Sequence, residues 1–415
     1  MNNHFDKIST ERLAPIFGKS MLDFRWLPSI EESCIHGTYG APKPSSKIAA
    51  FDVDGTLIRV KSGKKFPNGQ NDWLLWSSSI PKKLKQIHLE GFTILLISNQ
   101  NFNGPKPEKD FERKIPQVAR ALGVPFRIFA AREKDRFRKP LTGMWDEFVA
   151  NWNDGIQPDL QQSYYVGDAA GRPALGTTKK DWNDTDRKWA LNVGVPFFTP
   201  EEFFLGQAPR TDFILSGFDP KSYDHDQPAW HPSTTPLAYG PILESTELGD
   251  NMECEKIEIV IFVGPPGIGK TTLYNQHFAT RGYHHVNQDK LKTFEKCLES
   301  VRQTIGSGKP CVVDNTNPSQ RTRSAYVKLA RELQCEVRCL VFCSPIELAR
   351  HNNVYRAIYR TEVESRQLLP GLAFEAFKKN FEEPSLDEGF DEIKRVNFIF
   401  NGSLGEREIW HKYLV

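Results

Sequence analysis

Two short stretches of this 415-residue chain carry residue types that could do phosphate chemistry. The first is DVDGT, Asp52 to Thr56, which sets two carboxylates one residue apart at the end of the apolar run KIAAF. Side chains two apart on an extended segment point the same way, so Asp52 and Asp54 repel each other unless a cation joins them. Mg²⁺ suits such oxygen ligands. A carboxylate beside Mg²⁺ can attack phosphorus and form an aspartyl-phosphate, while a second works as general acid and then as base. The same chemistry needs donors for the phosphoryl oxygens, for which Ser98 and Lys139 (in RFRKP) are candidates. It also needs a further acid for the metal, and Asp168 in VGDAAGR fits.

The second stretch is GPPGIGKTT, Gly264 to Thr272, preceded by the β-branched run Ile257 to Val263 and followed by a segment that can be helical, Leu273 to Phe278. Strand, glycine-rich turn with Lys and Thr, then helix is the phosphate-binding P-loop. Backbone N–H groups from Gly264, Gly267, Ile268 and Gly269 through Thr272 can close around phosphate oxygens at a helix N-terminus. Lys270 can reach the outer phosphates and Thr271 can hold Mg²⁺. Asp289 in VNQDKL could take the proton of an attacking hydroxyl, or cap the helix that follows; the residues alone leave both readings open. DNTNP offers Asp314, Asn315 and Asn317 at a strand end, where a plain turn is the alternative. Arg350, Arg356 and Arg360 could close over the phosphates or decorate a solvated face. Nothing in this half separates ATP from GTP.

The elements that must position these residues alternate. Short continuously apolar runs at 47–51, 92–97, 126–130, 164–166 and 197–198 are separated by amphipathic stretches such as 80–89 and 110–122. Continuous apolar strands between helices mean a parallel sheet covered on both faces, with polar motifs at the strand ends. The pattern repeats after Ile257, with strands expected at 283–287, 311–313, 336–342 and 396–400 and helices at 291–305, 319–333 and 347–359. The fold class expected is therefore α/β, with two doubly wound domains. Residues 1–45 read as an N-terminal arm, 46–215 as the first domain, 216–256 as a Pro-, Asp- and His-rich linker or wrapping segment, and 257–415 as the P-loop domain. Trp230 and Tyr239 suggest that part of the linker packs against a domain.

Composition narrows the class further. The hydrophobic fraction of 39% supports real cores, and a net charge of +2 confines any basic surface to a local patch. RIFAAREKDRFRK, with Arg132 and Arg138, is such a patch and could track a phosphate backbone. No stretch approaches a membrane span, and the first residues lack an apolar signal core. Cys335, Cys339 and Cys343 lie on one expected strand, neighbours in the trio about 13 Å apart at roughly 3.3 Å per residue. They cannot share a metal ion there, and they read as core thiols of a reducing compartment.

DVDGT, a strand ending in Ser98, Lys139 and the GD of Asp168 come in an order that resembles the haloacid-dehalogenase-type phosphatases. That resemblance implies Asp52 as nucleophile, Asp54 as general acid/base, Ser98 and Lys139 as phosphate holders, and Asp52, Asp54 and Asp168 around Mg²⁺. With GPPGIGKTT, VNQD, DNTNP and ARHNN following, the chain resembles the eukaryotic bifunctional polynucleotide 5′-kinase/3′-phosphatases over residues 45–415. The resemblance implies removal of 3′-phosphates and ATP-dependent phosphorylation of 5′-hydroxyls at DNA strand-break ends. It makes Asp289 the base for the 5′-hydroxyl and gives Lys270, Thr271, Arg350 and Arg356 the kinase chemistry. Gln288 stands where relatives often carry Arg and is counted, with Arg132 and Arg138, among the DNA contacts. Vertebrate members begin with a forkhead-associated domain; residues 1–45 are too few for one, so no phosphopeptide-binding module is expected. A monomer working in the nucleus follows from the inferred job. A phosphatase/kinase fusion acting on small metabolites, or an end-binding scaffold with vestigial sites, are the rival readings.

Overall fold

The structure, a computed structural model, describes residues 23–102, 104–176, 179–242, 256–360 and 367–415. Residues 1–22 of the expected arm and 243–255 of the expected linker lie outside them. The chain divides into two compact units, Met1–Ile214 and Leu215–Val415.

The first unit is built on a seven-stranded sheet. In chain order its strands are β1 (Phe24–Ile30), β2 (Cys34–Tyr39), β3 (Ile48–Phe51), β6 (Thr93–Asn99), β7 (Phe126–Ala131), β8 (Tyr164–Val166) and β9 (Phe197–Phe198). A two-stranded flap of β4 (Ile58–Arg59) and β5 (Leu74–Leu75) follows β3. The spatial order is β1-β2-β7-β6-β3-β8-β9. From β7 to β9 all neighbours are parallel, whereas β2 runs antiparallel to β7 and β1 antiparallel to β2. Helices α1 (Ile80–Leu89), α2 (Pro105–Leu122), α3 (Gly143–Asn151), α4 (Thr185–Val193) and α5 (Pro200–Leu205) cover the two faces. Strand residues alternate between those faces, as the pleat demands. Ala49, Phe51, Ile94 and Leu96 pack with Leu84 of α1 and with Ile115 and Val118 of α2. Ile48, Ala50, Leu95 and Ile97 pack against Met144, Phe148 and Trp189 of α3 and α4.

The stretch read as an arm is a correction. Residues 24–39 form a hairpin that pairs with β7 and widens the sheet. Their own pattern is weak because β1 is only partly buried, FRWLPSI holding a proline and two exposed positions in succession. Tertiary pairing supplies what local periodicity lacks: Trp26 Nε1 donates to Glu112 O of α2 at 3.0 Å, and His36 stacks on Phe129. Helix α2 begins earlier than the expected 110 because Pro105 and Pro107 sit in its first turn, where a missing N–H costs nothing.

The second unit has a six-stranded sheet in the order β10-β15-β14-β11-β13-β12. Its strands are β10 (Trp230–His231), β11 (Glu258–Val263), β12 (His284–Val286), β13 (Cys311–Val313), β14 (Glu336–Phe342) and β15 (Glu392–Val396), all parallel except β10. Its helices are α6 (Lys270–Leu273), α7 (Gln288–Leu291), α8 (Phe294–Gly306), α9 (Gln320–Glu332), α10 (Ile346–Ile358), α11 (Gly371–Asn380) and α12 (Leu404–Trp410). Ile259, Ile261 and Val263 of β11 pack with Val301 and Ile305 of α8 and Tyr326 and Ala330 of α9.

Two expectations change here. The last strand is 392–396 rather than 396–400, because the charged run EIKRV is the one that pairs. Its Lys394, fully buried, is satisfied by Pro232 O at 2.8 Å and Thr235 O at 2.9 Å. The apolar Phe398 and Phe400 instead lie against Trp410. The segment 230–239 belongs to this unit: Arg338, paired with buried Glu258 at 2.6 Å, also donates to Pro236 O and Leu237 O. Of the three cysteines, only Cys339 is buried; Cys335 and Cys343 lie just beyond the two ends of β14, and Cys343 is exposed.

Candidate active sites

The strand ends of the first sheet carry a buried ionic cluster. Asp52 follows β3, Asp168 follows β8, Lys139 follows β7 by a short loop, and Asp186 lies in the first turn of α4. Lys139 Nζ stands 2.7 Å from Asp52 Oδ1 and 2.7 Å from Asp186 Oδ1, and donates to Ile97 O at 3.0 Å and Tyr165 Oη at 2.8 Å. Tyr165 in turn donates to Asp186 Oδ1 at 2.9 Å. Burial pulls the lysine down, but Asp186 and Asp52 outweigh it and hold the ammonium above the usual lysine range. Burial pushes the Asp52 carboxyl up, with Lys139 opposing and Asp186 adding to the rise. Asp168 is raised by burial and then by Asp52 and Asp186.

Three acids thus converge where one ammonium pairs with only two of them, Asp52 and Asp186. Ligand oxygens of Asp52, Asp168 and Asp186 all lie within 4.8 Å of one another. A buried excess of negative charge with convergent carboxylate oxygens fits a hard divalent cation. Two glycines let the backbone come this close. Gly55 holds φ +96° with Asp168 against its Cα, and a Cβ on Gly167 would lie 2.5 Å from Asp186 Oδ2.

Asp54 sits elsewhere in the same pocket. Its carboxylate is 46% exposed and pairs with Lys114 Nζ at 2.9 Å. Gln100 Nε2 donates both to Asp54 Oδ2 at 2.7 Å and to Ser98 Oγ at 2.9 Å, tying the two expected residues together. The dense surroundings raise the Asp54 carboxyl, but Lys114 and Gln100 outweigh that and hold it below the usual carboxylate range. The convergent acid trio therefore contains Asp186 where the sequence suggested the Asp54 side chain. Asp186, Lys114, Gln100 and Tyr165 were not foreseen. Asp186 carries no motif of its own. Lys114 did leave a signal, since it shares the buried face of α2 with Phe111, Ile115 and Val118; a charge on an apolar stripe needs a partner. Of the basic residues nearby, Arg138 donates to Gln100 O at 2.7 Å, whereas Arg132 is paired with Glu108 at 2.9 Å.

In the second unit the loop after β11 has Gly267 at φ +83° and Gly269 at φ +105°, conformations that side chains resist. A Cβ on Gly267 would also meet Ala349 O at 2.9 Å. Gly264 packs on Phe342, Ile268 is buried as an anchor, and Thr272 is exposed. Lys270 Nζ donates to Gly264 O at 2.9 Å and Pro265 O at 2.7 Å. Burial brings Lys270 down to about 8, with Asp314 opposing and Arg356 adding to the fall. Thr271 Oγ1 donates to Asp314 Oδ2 at 2.7 Å. DNTNP is therefore more than a turn: Asn317 Nδ2 donates to Phe262 O, Asn315 Oδ1 accepts from Gln288 N, and Asp314 O accepts from Asn287 Nδ2. The first ties this stretch to β11, and the other two fasten the end of β13 to VNQD. The cap of α7 is Asn287, which accepts from Asp289 N at 2.9 Å, so Asp289 is not the cap and its side chain is exposed. Arg356 donates to Asn353 Oδ1 at 3.1 Å, and Arg350 is paired with Glu375 of α11.

Residues 47–204 match the family model described as polynucleotide kinase 3 phosphatase, and residues 259–384 match an AAA domain model. The bifunctional polynucleotide phosphatase/kinase of Schizosaccharomyces pombe is 38% identical over 382 residues, covering 91% of this chain and 85% of the relative. The chain belongs to the bifunctional polynucleotide phosphatase/kinase family. A protein of Acanthamoeba polyphaga mimivirus named for the same pair of activities is 32% identical, with 88% of each chain covered. The polynucleotide 3′-phosphatase of Saccharomyces cerevisiae is 40% identical over 176 residues, which is 39% of this chain and 67% of that one. The two models divide a phosphatase/kinase chain as its two sheets do, and each contains one of the sites described above. Among the described residues no helix is long and apolar enough to cross a membrane.

Proposed function

We propose that this member of the family removes 3′-phosphates from DNA strand-break ends in its first unit and phosphorylates 5′-hydroxyl ends with ATP in its second, so that breaks become ligatable. The observation that carries the reading is likeness to a bifunctional relative along 91% of the chain, with a site in each unit. In the first, the Asp52 carboxylate attacks phosphorus and the P–O bond to the 3′-oxygen breaks. Asp54 gives that oxygen its proton, and then takes a proton from the water that hydrolyses the aspartyl-phosphate. Lys114 favours the carboxylate form needed for the second half; a bound phosphate dianion pushes the other way and favours the protonated form needed for the first. Ser98 and Lys139 hold the phosphoryl oxygens. A divalent cation, proposed as Mg²⁺, would be held by Asp52, Asp168 and Asp186 and would supply neutralising charge to the phosphate.

In the second unit the loop 264–272 and Lys270 hold the nucleotide phosphates, Thr271 and Asp314 would hold the accompanying Mg²⁺, and Asp289 takes the proton from the 5′-hydroxyl. Arg350 and Arg356 supply positive charge to the transferring group. Arg132, Arg138 and Gln288 are proposed contacts to the nucleic acid, and the enzyme is proposed to act as a monomer in the nucleus.

One nicked duplex bearing a 3′-phosphate and a 5′-hydroxyl tests the proposal. Phosphate is expected to leave the 3′ end without ATP and to appear at the 5′ end only with ATP. Asp52→Asn should abolish the first reaction and spare the second; Lys270→Ala should do the reverse. If either variant, still folded, loses both reactions, the two-site assignment is wrong.

A further inference from the structure

Across the second sheet, β11, β13 and β12 end side by side. Thr271 stands in the first turn of α6, after the loop that follows β11, Asp314 directly beyond β13, and His285 within β12. These three side chains form a continuous relay. Asp314, whose side chain is 1% exposed, accepts from Thr271 Oγ1 at 2.7 Å and from His285 Nε2 at 2.9 Å, both on Oδ2. A carboxylate only accepts, so the His285 proton sits on Nε2. The imidazole lies flat on the Tyr274 ring, centroids 4.0 Å apart and planes 13° apart. Tyr274 is fixed in turn, its phenol donating to Tyr283 O at 2.7 Å. The histidine therefore has its plane set by stacking and its donor aimed at one oxygen of a buried acid.

We propose that His285 is a positioning residue for the cation that accompanies the nucleotide. It does not touch the ion or the phosphates. It occupies Oδ2 of Asp314 and locks the carboxylate rotamer, so that Thr271 and Asp314 present their oxygens to the cation in one arrangement. Without the second donor a buried carboxylate is free to rotate and to draw the Thr271 hydroxyl with it. The effect belongs to the metal-dependent part of nucleotide binding, because the loop backbone and Lys270 grip the phosphates independently. This inference rests on the proposed kinase reading of the unit.

The test uses the full-length protein and ATP, with affinity measured by calorimetry in Mg²⁺ and in EDTA, alongside kinase turnover against Mg²⁺ concentration. His285→Ala is expected to weaken ATP binding in Mg²⁺ by about tenfold, the scale of losing a partner behind a metal ligand. The Mg²⁺ needed for half-maximal turnover should rise by a similar factor. Affinity in EDTA and 3′-phosphatase activity should stay as in the parent. His285→Gln puts an amide donor near the position of Nε2 and should restore most of the loss, whereas the shorter His285→Asn should not. An equal loss in Mg²⁺ and EDTA, or no loss in either, overturns the inference. Should His285→Ala fail to fold, the Gln and Asn variants decide: equal Mg²⁺ dependence in the two also overturns it. Absence of ATP binding by the parent would be a failure of the kinase reading itself, and is distinguished by that control.

Discussion

Lys139 shows how much of a site can depend on one side chain. Its side chain is 3% exposed and serves two acids whose side chains are 9% and 2% exposed. Breaking a buried ion pair by removing one partner leaves the other charge without compensation, which costs on the order of 3–5 kcal/mol. Lys139→Met is therefore expected to lower the unfolding free energy of the first unit, measured in urea, by that scale and to abolish phosphatase activity. Added Mg²⁺ should recover part of the stability, because a cation at Asp52, Asp168 and Asp186 replaces the missing positive charge. An unchanged midpoint in the absence of divalent cations would show that the acids relax by taking up protons instead.

At the scale of elements, the β1–β2 hairpin and the C-terminal helix make opposite points. The hairpin is held by close backbone contact. A Cβ on Gly37 would lie 2.7 Å from Arg25 O and 2.9 Å from the Phe24 ring, against backbone that cannot yield cheaply. Gly37→Val is expected to destabilise the first unit by roughly 1–3 kcal/mol, the usual cost of overpacking. Urea unfolding followed through phosphatase activity measures this, with kinase activity as the control. Helix α12 is held by a buried neutral histidine. His351 Nε2 donates to Trp410 O at 2.8 Å, and burial pulls the imidazole down to about 4 from an ordinary 6.5. The unfolded chain binds that proton more readily than the folded one. Stability of the second unit should therefore fall as pH drops from about 6.5 toward about 4, and stay flat above that window with respect to this group. His351→Gln should flatten the slope, read as the urea midpoint at pH 7 and pH 5.

At the scale of the whole molecule, each unit owns a complete sheet, a core and a site. Residues 1–214 expressed alone are expected to keep the phosphatase kcat/KM on a short 3′-phosphorylated oligonucleotide. A large loss on separation would mean that the second unit contributes to the phosphatase reaction.

The sequence by itself determined the chemistry-bearing ends of the strands. Continuously apolar runs such as KIAAF, FTILLI and EIVIFV can only be buried on both faces, and the motif directly after each run must then emerge at a sheet edge. That is why Asp52, Ser98, Asp168 and the loop 264–272 were legible, along with the helices whose apolar spacing is regular. What lay outside local pattern was decided by partners distant in the chain. Residues 24–39 became strands because β7 had an edge to offer. EIKRV became β15 because Pro232 and Thr235 supply carbonyls to Lys394. Asp186 became part of a site only when folding set it against Lys139; Lys114 and Gln100 did so when it set them against Asp54, and His285 when it met Asp314. Each is a lone polar residue on an ordinary element or just beyond one. The cost of burying a charge without a partner is met across the fold, between residues tens of positions apart, and spacing along the chain does not record it.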